Sequence, residues 1–375
     1  MRLLIAAGGT GGGVYPALAA VAALQSRPGV QDVQVQWVGV VGGMEAELVR
    51  QAGLPYRPLQ GGQVAGVGPF RAALSLVRVA VGIVQALRVI RRFRPHVVFV
   101  TGGYVAVAAA IAARLLAVPV AVYLPDIEPG RAVRFLARLA QKVMVTAEAS
   151  RSFLPEAGVV VTGYPVRPEL AGAAEMKPQA ARAHFGLAPA RPTVLVFGGS
   201  RGARSLNRAL LAGLAELLAR TEAQVIHISG TLDWSAVERR AAQLSQGERE
   251  RYRVYPYLHE DMGIAMAAAD IVVSRAGAST LGEFPIFGLG AIVVPYPHAW
   301  RYQKVNADVL QSQGAAICIN DEQLAEQLAP ALRELLADPE RMRAMGQAAR
   351  ALAAPAAAER VADELVQLAR GHAQP

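Results

Sequence analysis

One cysteine, Cys318, stands alone among 375 residues. It excludes a disulfide framework and a thiolate zinc cluster alike, and it fits a cytoplasmic, reducing compartment. Aromatic residues make up 6% and charged residues 18% of the chain, against 53% hydrophobic. That balance excludes disorder and leaves room for two or three domains with real cores. Acid is missing from a whole stretch. None occurs between Glu47 and Asp126, where nine arginines do: Arg50, Arg57, Arg71, Arg78, Arg88, Arg91, Arg92, Arg94 and Arg114. The net charge of +9 therefore sits entirely in residues 1–165, which hold 16 basic and 7 acidic residues, while the remainder holds 22 of each. Arginine without lysine or interleaved aromatics argues against a nucleic-acid groove and for an anionic membrane surface or a phosphorylated ligand.

Long unbroken apolar runs are also lacking. Residues 3–26 and 95–113 carry no charge, but five glycines between Gly8 and Gly13, Pro16, and the pair Gly102-Gly103 interrupt them. A lipid-exposed backbone there would leave polar groups unsatisfied, so no transmembrane segment is expected.

What is present is a short β-branched run followed by an Ala/Leu/Arg helical run, many times over, the signature of a parallel sheet covered by helices. Strands are expected at Leu3–Ala7, Val33–Val38, Val97–Thr101, Val120–Tyr123, Val143–Val145 and Val159–Thr162. The pattern then restarts at Thr193–Phe197, Gln224–Ser229, Arg253–Tyr255, Ile271–Ser274 and Ala291–Val294. The Pro-bracketed segment Gly163–Pro168 lies between the two series. The expected organisation is an α/β domain over 1–165, a second over 166–350, and a terminal helix in 351–375 that packs back on the first.

Three strand-to-helix turns are built for phosphate. Leu3–Ala7 runs into Gly8-Gly9-Thr10-Gly11-Gly12-Gly13, and Thr193–Phe197 runs into Gly198-Gly199-Ser200-Arg201-Gly202. Glycine lets the backbone approach a diphosphate, and the helix that follows supplies free N–H groups. A dinucleotide site would need an acid at the end of the second strand, and Trp37–Gly43 has none, which disfavours NAD or FAD. The third turn is Ser274–Glu283. Ser279 and Thr280 are expected to cap a helix with hydroxyls free for phosphate, with Glu283 one turn on and facing the same mouth as acceptor of a ribose diol.

Taken in order, these motifs resemble the MurG family of N-acetylglucosamine transferases. The resemblance rests on GGTGG at Gly8–Gly12, GMEAELV at Gly43–Val49, GGYV at Gly102–Val105, Pro129-Gly130, TGxPVR at Thr162–Arg167, GGSxGAxxxN at Gly198–Asn207, RAGAST…E at Arg275–Glu283, PYPH at Pro295–His298 and Q..NA at Gln303–Ala307. It implies a GT-B fold, two Rossmann-like doubly wound domains facing across a cleft, with the acceptor lipid on the first and UDP-GlcNAc mainly on the second. It implies an inverting transfer to lipid I that forms lipid II in peptidoglycan synthesis, with no metal or other cofactor, at the cytoplasmic face of the membrane. Carried over by residue, the donor site would use Thr10, Gly11 and Gly12 at the cleft, and Arg167 and Ser200 for the sugar nucleotide. Tyr257 and Leu258 would frame the uracil. Ala278, Ser279, Thr280, Leu281, Gly282 and Glu283 would meet phosphates and ribose, and Gln303 would meet the sugar.

The departures lie on the acceptor side. Gly13 stands where the family has a histidine, Tyr123-Leu124-Pro125-Asp126 where it has HEQN, and Tyr164 where it has asparagine. With the histidine gone, Asp126, or else Glu128, is the candidate general base, and Asp126 also a substrate contact, since these are the first acids after the acid-free stretch. The alternatives are a GT-B transferase with another lipid or sugar acceptor, or an inactive nucleotide-sugar binding module. Finally, Phe70–Arg94 reads as an amphipathic helix. Phe70, Leu74, Val77, Val81, Val84 and Leu87 share one side and Arg88, Arg91, Arg92 and Arg94 crowd the end, a pattern suited equally to anionic lipid or to ordinary packing.

Overall fold

The computed structural model describes the chain apart from residues 9–10, 31, 62–68, 156–157, 200–201, 299–300 and 374–375, and gives backbone alone for 69–74, 76, 372 and 373. Two compact units result, Met1–Arg167 with Pro355–Pro375, and Pro168–Ala354.

The first unit is a seven-stranded parallel sheet: β1 (Arg2–Ala6), β2 (Gln34–Val40), β3 (Tyr56–Leu59), β4 (Val97–Val100), β5 (Val120–Leu124), β6 (Lys142–Val145) and β7 (Val159–Val161), in the order β3-β2-β1-β4-β5-β6-β7. Alternate side chains of each strand enter opposite cores, as a sheet buried on both faces requires. Leu4, Val98, Val120 and Val122 pack under the helices Pro69–Phe93, Tyr104–Leu115 and Arg131–Leu139. Leu3, Ile5, Phe99 and Met144 pack on the opposite face with Val14, Ala17 and Leu24 of helix Gly11–Ser26. Helix Ala357–Ala373 completes that face, burying Val361, Ala362 and Leu365, and Lys142 reaches its Glu364 at 2.8 Å.

The second unit is a six-stranded parallel sheet: β8 (Thr193–Phe197), β9 (Gln224–Ile228), β10 (Tyr252–Tyr255), β11 (Ile271–Ser274), β12 (Gly290–Val293) and β13 (Ala316–Cys318), ordered β10-β9-β8-β11-β12-β13. Two strands, β3 and β13, were not expected from sequence. Both are edge strands. β3 contains Pro58, which an edge tolerates because one side of its backbone needs no partner.

In each sheet the chain fills one side of the first strand and then returns to fill the other. The reversal falls between β1 and β4 in the first unit and between β8 and β11 in the second. Open parallel sheets take ligands beyond the strand ends at such a reversal, where two helix N-termini diverge and leave a crevice.

Candidate active site

The three turns read from sequence as phosphate sites, and the Gly102-Gly103 pair, each follow one of those four strands. Gly8 follows β1 and Gly102-Gly103 follows β4; Gly198 follows β8, and the Arg275–Glu283 block follows β11.

In the first unit the two turns touch. Gly102 and Gly103 adopt φ of +115° and +88°, and a β-carbon on Gly103 would sit 3.3 Å from the Gly8 carbonyl oxygen. Only glycine meets both demands. Trp37 is fully buried and donates its indole N–H to the Ala7 carbonyl at 2.9 Å, fixing the strand end that leads into the first bend. Glu45 is buried beside the same bend: its Oε1 accepts from the Val40 amide at 2.8 Å, and β-carbons on Gly8 or Gly39 would come within 2.6 or 2.7 Å of its carboxylate. The acid missing from the end of β2 thus arrives from the next helix, surrounded by glycines that make room for it. Gly11 and Gly12 open helix Gly11–Ser26; Thr10 lies outside the described residues. Arg167 stacks on the Tyr15 ring of this helix, its guanidinium carbon 4.2 Å from the ring centroid.

The loop after β5 is held by hydroxyls. Tyr123 is buried and shares a 2.8 Å hydrogen bond with Thr146 Oγ1, which donates in turn to the Pro125 carbonyl at 2.8 Å. Burial pushes the Tyr123 phenol well above its ordinary range, so it braces the loop as a neutral group. Asp126 is half-buried at the end of this brace. Glu128 is buried and accepts from Arg134 at 2.9 Å.

The Arg275–Glu283 block departs from the sequence expectation in its local form. Ala278–Leu281 is a 3₁₀ turn, Gly282 (φ −125°, ψ −45°) breaks it, and a five-residue α-helix starts at Glu283. Ser279 and Thr280 therefore do not cap a continuous helix that carries Glu283 one turn on. Pro285 explains the restart: without an N–H it suits the first turn of a new helix and could not sit deeper in an old one. The Thr280 hydroxyl is not free, since it donates to the Gly277 carbonyl at 2.7 Å. Ser279 is half-buried, Ala278, Leu281 and Gly282 are buried, and the Glu283 side chain keeps an 8% exposed edge. The first amides of the 3₁₀ turn, like those of any helical start, point outward without helical partners.

Four polar residues that the sequence reading quoted only inside motifs, or not at all, hold this half together. Arg275 is largely buried; it donates to Asp321 at 2.5 Å and to Ser205 Oγ at 2.7 Å, tying the β11 turn to the start of helix Arg204–Arg220. Asn306 donates to the Ala276 carbonyl at 3.1 Å and ties the same turn to helix Tyr302–Ser312. On that helix, Gln303 accepts from the Tyr296 amide at 2.8 Å, which fixes its side-chain oxygen and leaves its amide hydrogens for another acceptor. Tyr257 and Leu258 are half-buried beyond β10, and the Tyr257 ring packs edge-on to His259 with centroids 4.5 Å apart. Ser200 lies outside the described residues.

Two doubly wound parallel domains, each with glycine or small-residue bends at its reversal point, define the GT-B fold of nucleotide-sugar-dependent glycosyltransferases. Residues 3–145 match the glycosyltransferase family 28 N-terminal domain and residues 193–361 the glycosyltransferase family 28 C-terminal domain. Similar over nearly the whole chain is the UDP-N-acetylglucosamine–N-acetylmuramyl-(pentapeptide) pyrophosphoryl-undecaprenol N-acetylglucosamine transferase of Roseiflexus sp. (strain RS-1), 41% identical over 96% of this chain and 94% of the relative. The enzyme of the same name from Desulforudis audaxviator is 37% identical over 98% and 99%. Among solved structures, Acinetobacter baumannii MurG matches with a TM-score of 0.75 and 26% identity over 98% of this chain and 99% of that one. The chain belongs to glycosyltransferase family 28 and, within it, to the MurG group.

Proposed function

We propose that the protein transfers N-acetylglucosamine from UDP-GlcNAc to the lipid-linked N-acetylmuramyl-pentapeptide acceptor, lipid I, forming lipid II for peptidoglycan, with inversion and without a metal. The observation that carries this reading is the furnishing of both reversal points: bends after β8 and β11 for the donor diphosphate, and bends after β1 and β4 for the acceptor pyrophosphate. An inverting displacement needs a base for the attacking hydroxyl and stabilisation of the departing UDP. Outward amides at Ala278 and Ser279, with Ser200, serve the leaving group. Glu283 accepts the ribose hydroxyls, Leu258 and Tyr257 frame the uracil, Gln303 holds the sugar through its free amide, and Arg167 supplies charge. Thr10, Gly11 and Gly12 are read as donor contacts. Of the two candidate bases, Asp126 is the more accessible, half-buried where Glu128 is buried.

The acceptor's lipid calls for a membrane. Among the described residues no helix is long and apolar enough to cross one. On helix Pro69–Phe93, Val77, Val81 and Val84 are 60%, 43% and 48% exposed, in line with exposed Arg88 at helical spacing, while Ser75, Gly82, Ala86 and Ile90 face inward. Of the side the sequence marks as apolar, these valines are exposed while Leu87 packs against the core. Helix Arg131–Leu139, which like Pro69–Phe93 packs on Tyr104–Leu115, exposes Arg131, Phe135 and Arg138. Apolar side chains rimmed by arginine suit peripheral docking on the anionic cytoplasmic leaflet.

The test is transfer of labelled N-acetylglucosamine from UDP-GlcNAc to a short-chain lipid I analogue, with and without chelator. Transfer is expected in both, and Asp126→Asn should lower kcat by about a hundredfold or more at little-changed KM for UDP-GlcNAc. Near-normal turnover in Asp126→Asn discards the base, while donor binding without transfer to any acceptor favours the binding-module reading.

A further inference from the structure

The second unit buries one imidazole that the reaction described above does not use. His227 lies in β9 with no exposed surface, between Ile226 and Ile228. Its Nδ1 is 2.7 Å from the Tyr252 hydroxyl and its Nε2 2.9 Å from Asn207 Oδ1. Asn207, also buried, spends both amide hydrogens elsewhere: it donates to the Ser229 carbonyl at 2.9 Å and to Asp233 Oδ2 at 3.1 Å. The other carboxylate oxygen, Asp233 Oδ1, accepts from Arg204 Nε at 2.9 Å.

These contacts fix every proton in the chain. Asn207 can only accept at Oδ1, so His227 carries its proton on Nε2 and accepts at Nδ1 from Tyr252. Donors then run in one direction, Tyr252 to His227 to Asn207 to Asp233, and end on a carboxylate that also takes Arg204. The arrangement requires a neutral ring, and burial holds the imidazole down to about 3.

The chain ends at the second glycine bend. A β-carbon on Gly202 would collide with the Ser229 carbonyl oxygen, the atom Asn207 holds, so bend and strand end are in direct contact there. Arg204 is the first residue of helix Arg204–Arg220 after that bend, and its side chain is exposed apart from its pairing with Asp233. Exposed Arg208 follows one turn on, and with Arg204, Ser205 and Asp321 it borders a pocket. A cation in the first helical turn opposes the helix dipole, so helix stability does not account for Arg204; Asp233 pairs its Nε and leaves the rest of the guanidinium exposed to a second anion.

We infer that His227 is a positioning residue of the donor half: by donating to Asn207 it fixes the amide that joins Ser229 to Asp233, and so aims the Arg204 guanidinium at the diphosphate of the nucleotide sugar. This rests on the proposal that the bend after β8 receives that diphosphate.

The experiment is calorimetric binding of UDP to the full chain and to His227→Leu, Arg204→Met, the double variant and His227→Gln. Loss of one charge-assisted contact should weaken UDP about tenfold in each of the first two. The double variant should be no weaker than Arg204→Met alone, because a positioning residue has nothing left to position. His227→Gln, whose Nε2 can reach the place of the ring Nε2–H, should stay within about twofold of wild type. Should His227→Leu not fold, Asn207→Asp interrupts the chain one link later and should match Arg204→Met. Additive losses in the double variant, or wild-type affinity in a folded His227→Leu or Asn207→Asp, overturn the inference alone. Failure of wild type to bind UDP overturns the donor-site proposal and the inference together.

Discussion

Gly13 and Thr101 show how a single position constrains the acceptor half. A β-carbon at Gly13 would lie 2.9 Å from Thr101 Oγ1, a contact real side chains do not make, and Thr101 is buried, its hydroxyl without a partner among the described residues. The space a histidine would need at this point is taken by threonine. Gly13→His should therefore cost about 1–3 kcal/mol, as overpacking does, and Thr101→Ala in the same chain should recover most of it. Urea unfolding of the two variants checks this, and a Gly13→His protein as stable as wild type contradicts it. The absence of histidine was readable in the sequence. Its cause was not, because Thr101 lies 88 positions away and only the pairing of β1 with β4 brings it near. For the same reason the motif residues Asn207, Arg275 and Asn306 carried no meaning until their partners at Asp233, Asp321 and Ala276 were in place.

Among the elements, helix Pro69–Phe93 makes the clearest prediction. Exposed Val77, Val81 and Val84 should each contribute about 1 kcal/mol on entering a lipid interface, and the arginines at its end a similar amount each on an anionic surface. Replacing the three valines by serine, or reversing Arg88, Arg91, Arg92 and Arg94 to glutamate, should cut co-sedimentation with anionic vesicles by tenfold or more; the charge reversal should leave binding to neutral vesicles alone. Unchanged co-sedimentation in both variants refutes docking through this helix. Strand periodicity was legible wherever β-branched residues run uninterrupted. It failed at Tyr56–Leu59 and Ala316–Cys318, where arginine, proline or mere shortness hides an edge strand. The helix start at Ser279-Thr280 failed for another reason: spacing cannot distinguish a 3₁₀ turn followed by a fresh helix from one continuous helix.

For the whole molecule, the buried His227 gives stability a definite pH dependence. Its folded-state affinity for protons is depressed, from the ordinary 6.5 to about 3, while the unfolded chain titrates normally. The unfolded state therefore binds the extra proton below about pH 6.5, and stability falls as pH drops from there toward 3. Above that window the contribution is complete. Unfolding free energies measured by denaturant between pH 4 and 7 should decline on acidification, and the decline should be shallower in His227→Gln. Equal slopes contradict the assignment.

The proposed donor site seats a nucleotide sugar at the β8/β11 reversal with its ribose on Glu283. Calorimetric binding of UDP-GlcNAc to the full chain and to Glu283→Gln tests it most directly. The isosteric amide keeps the fold but gives up the charge, so wild type should bind and the variant should bind about tenfold or more weakly, with its thermal midpoint little changed. Equal affinity in a folded Glu283→Gln, or no binding by wild type, would contradict the account.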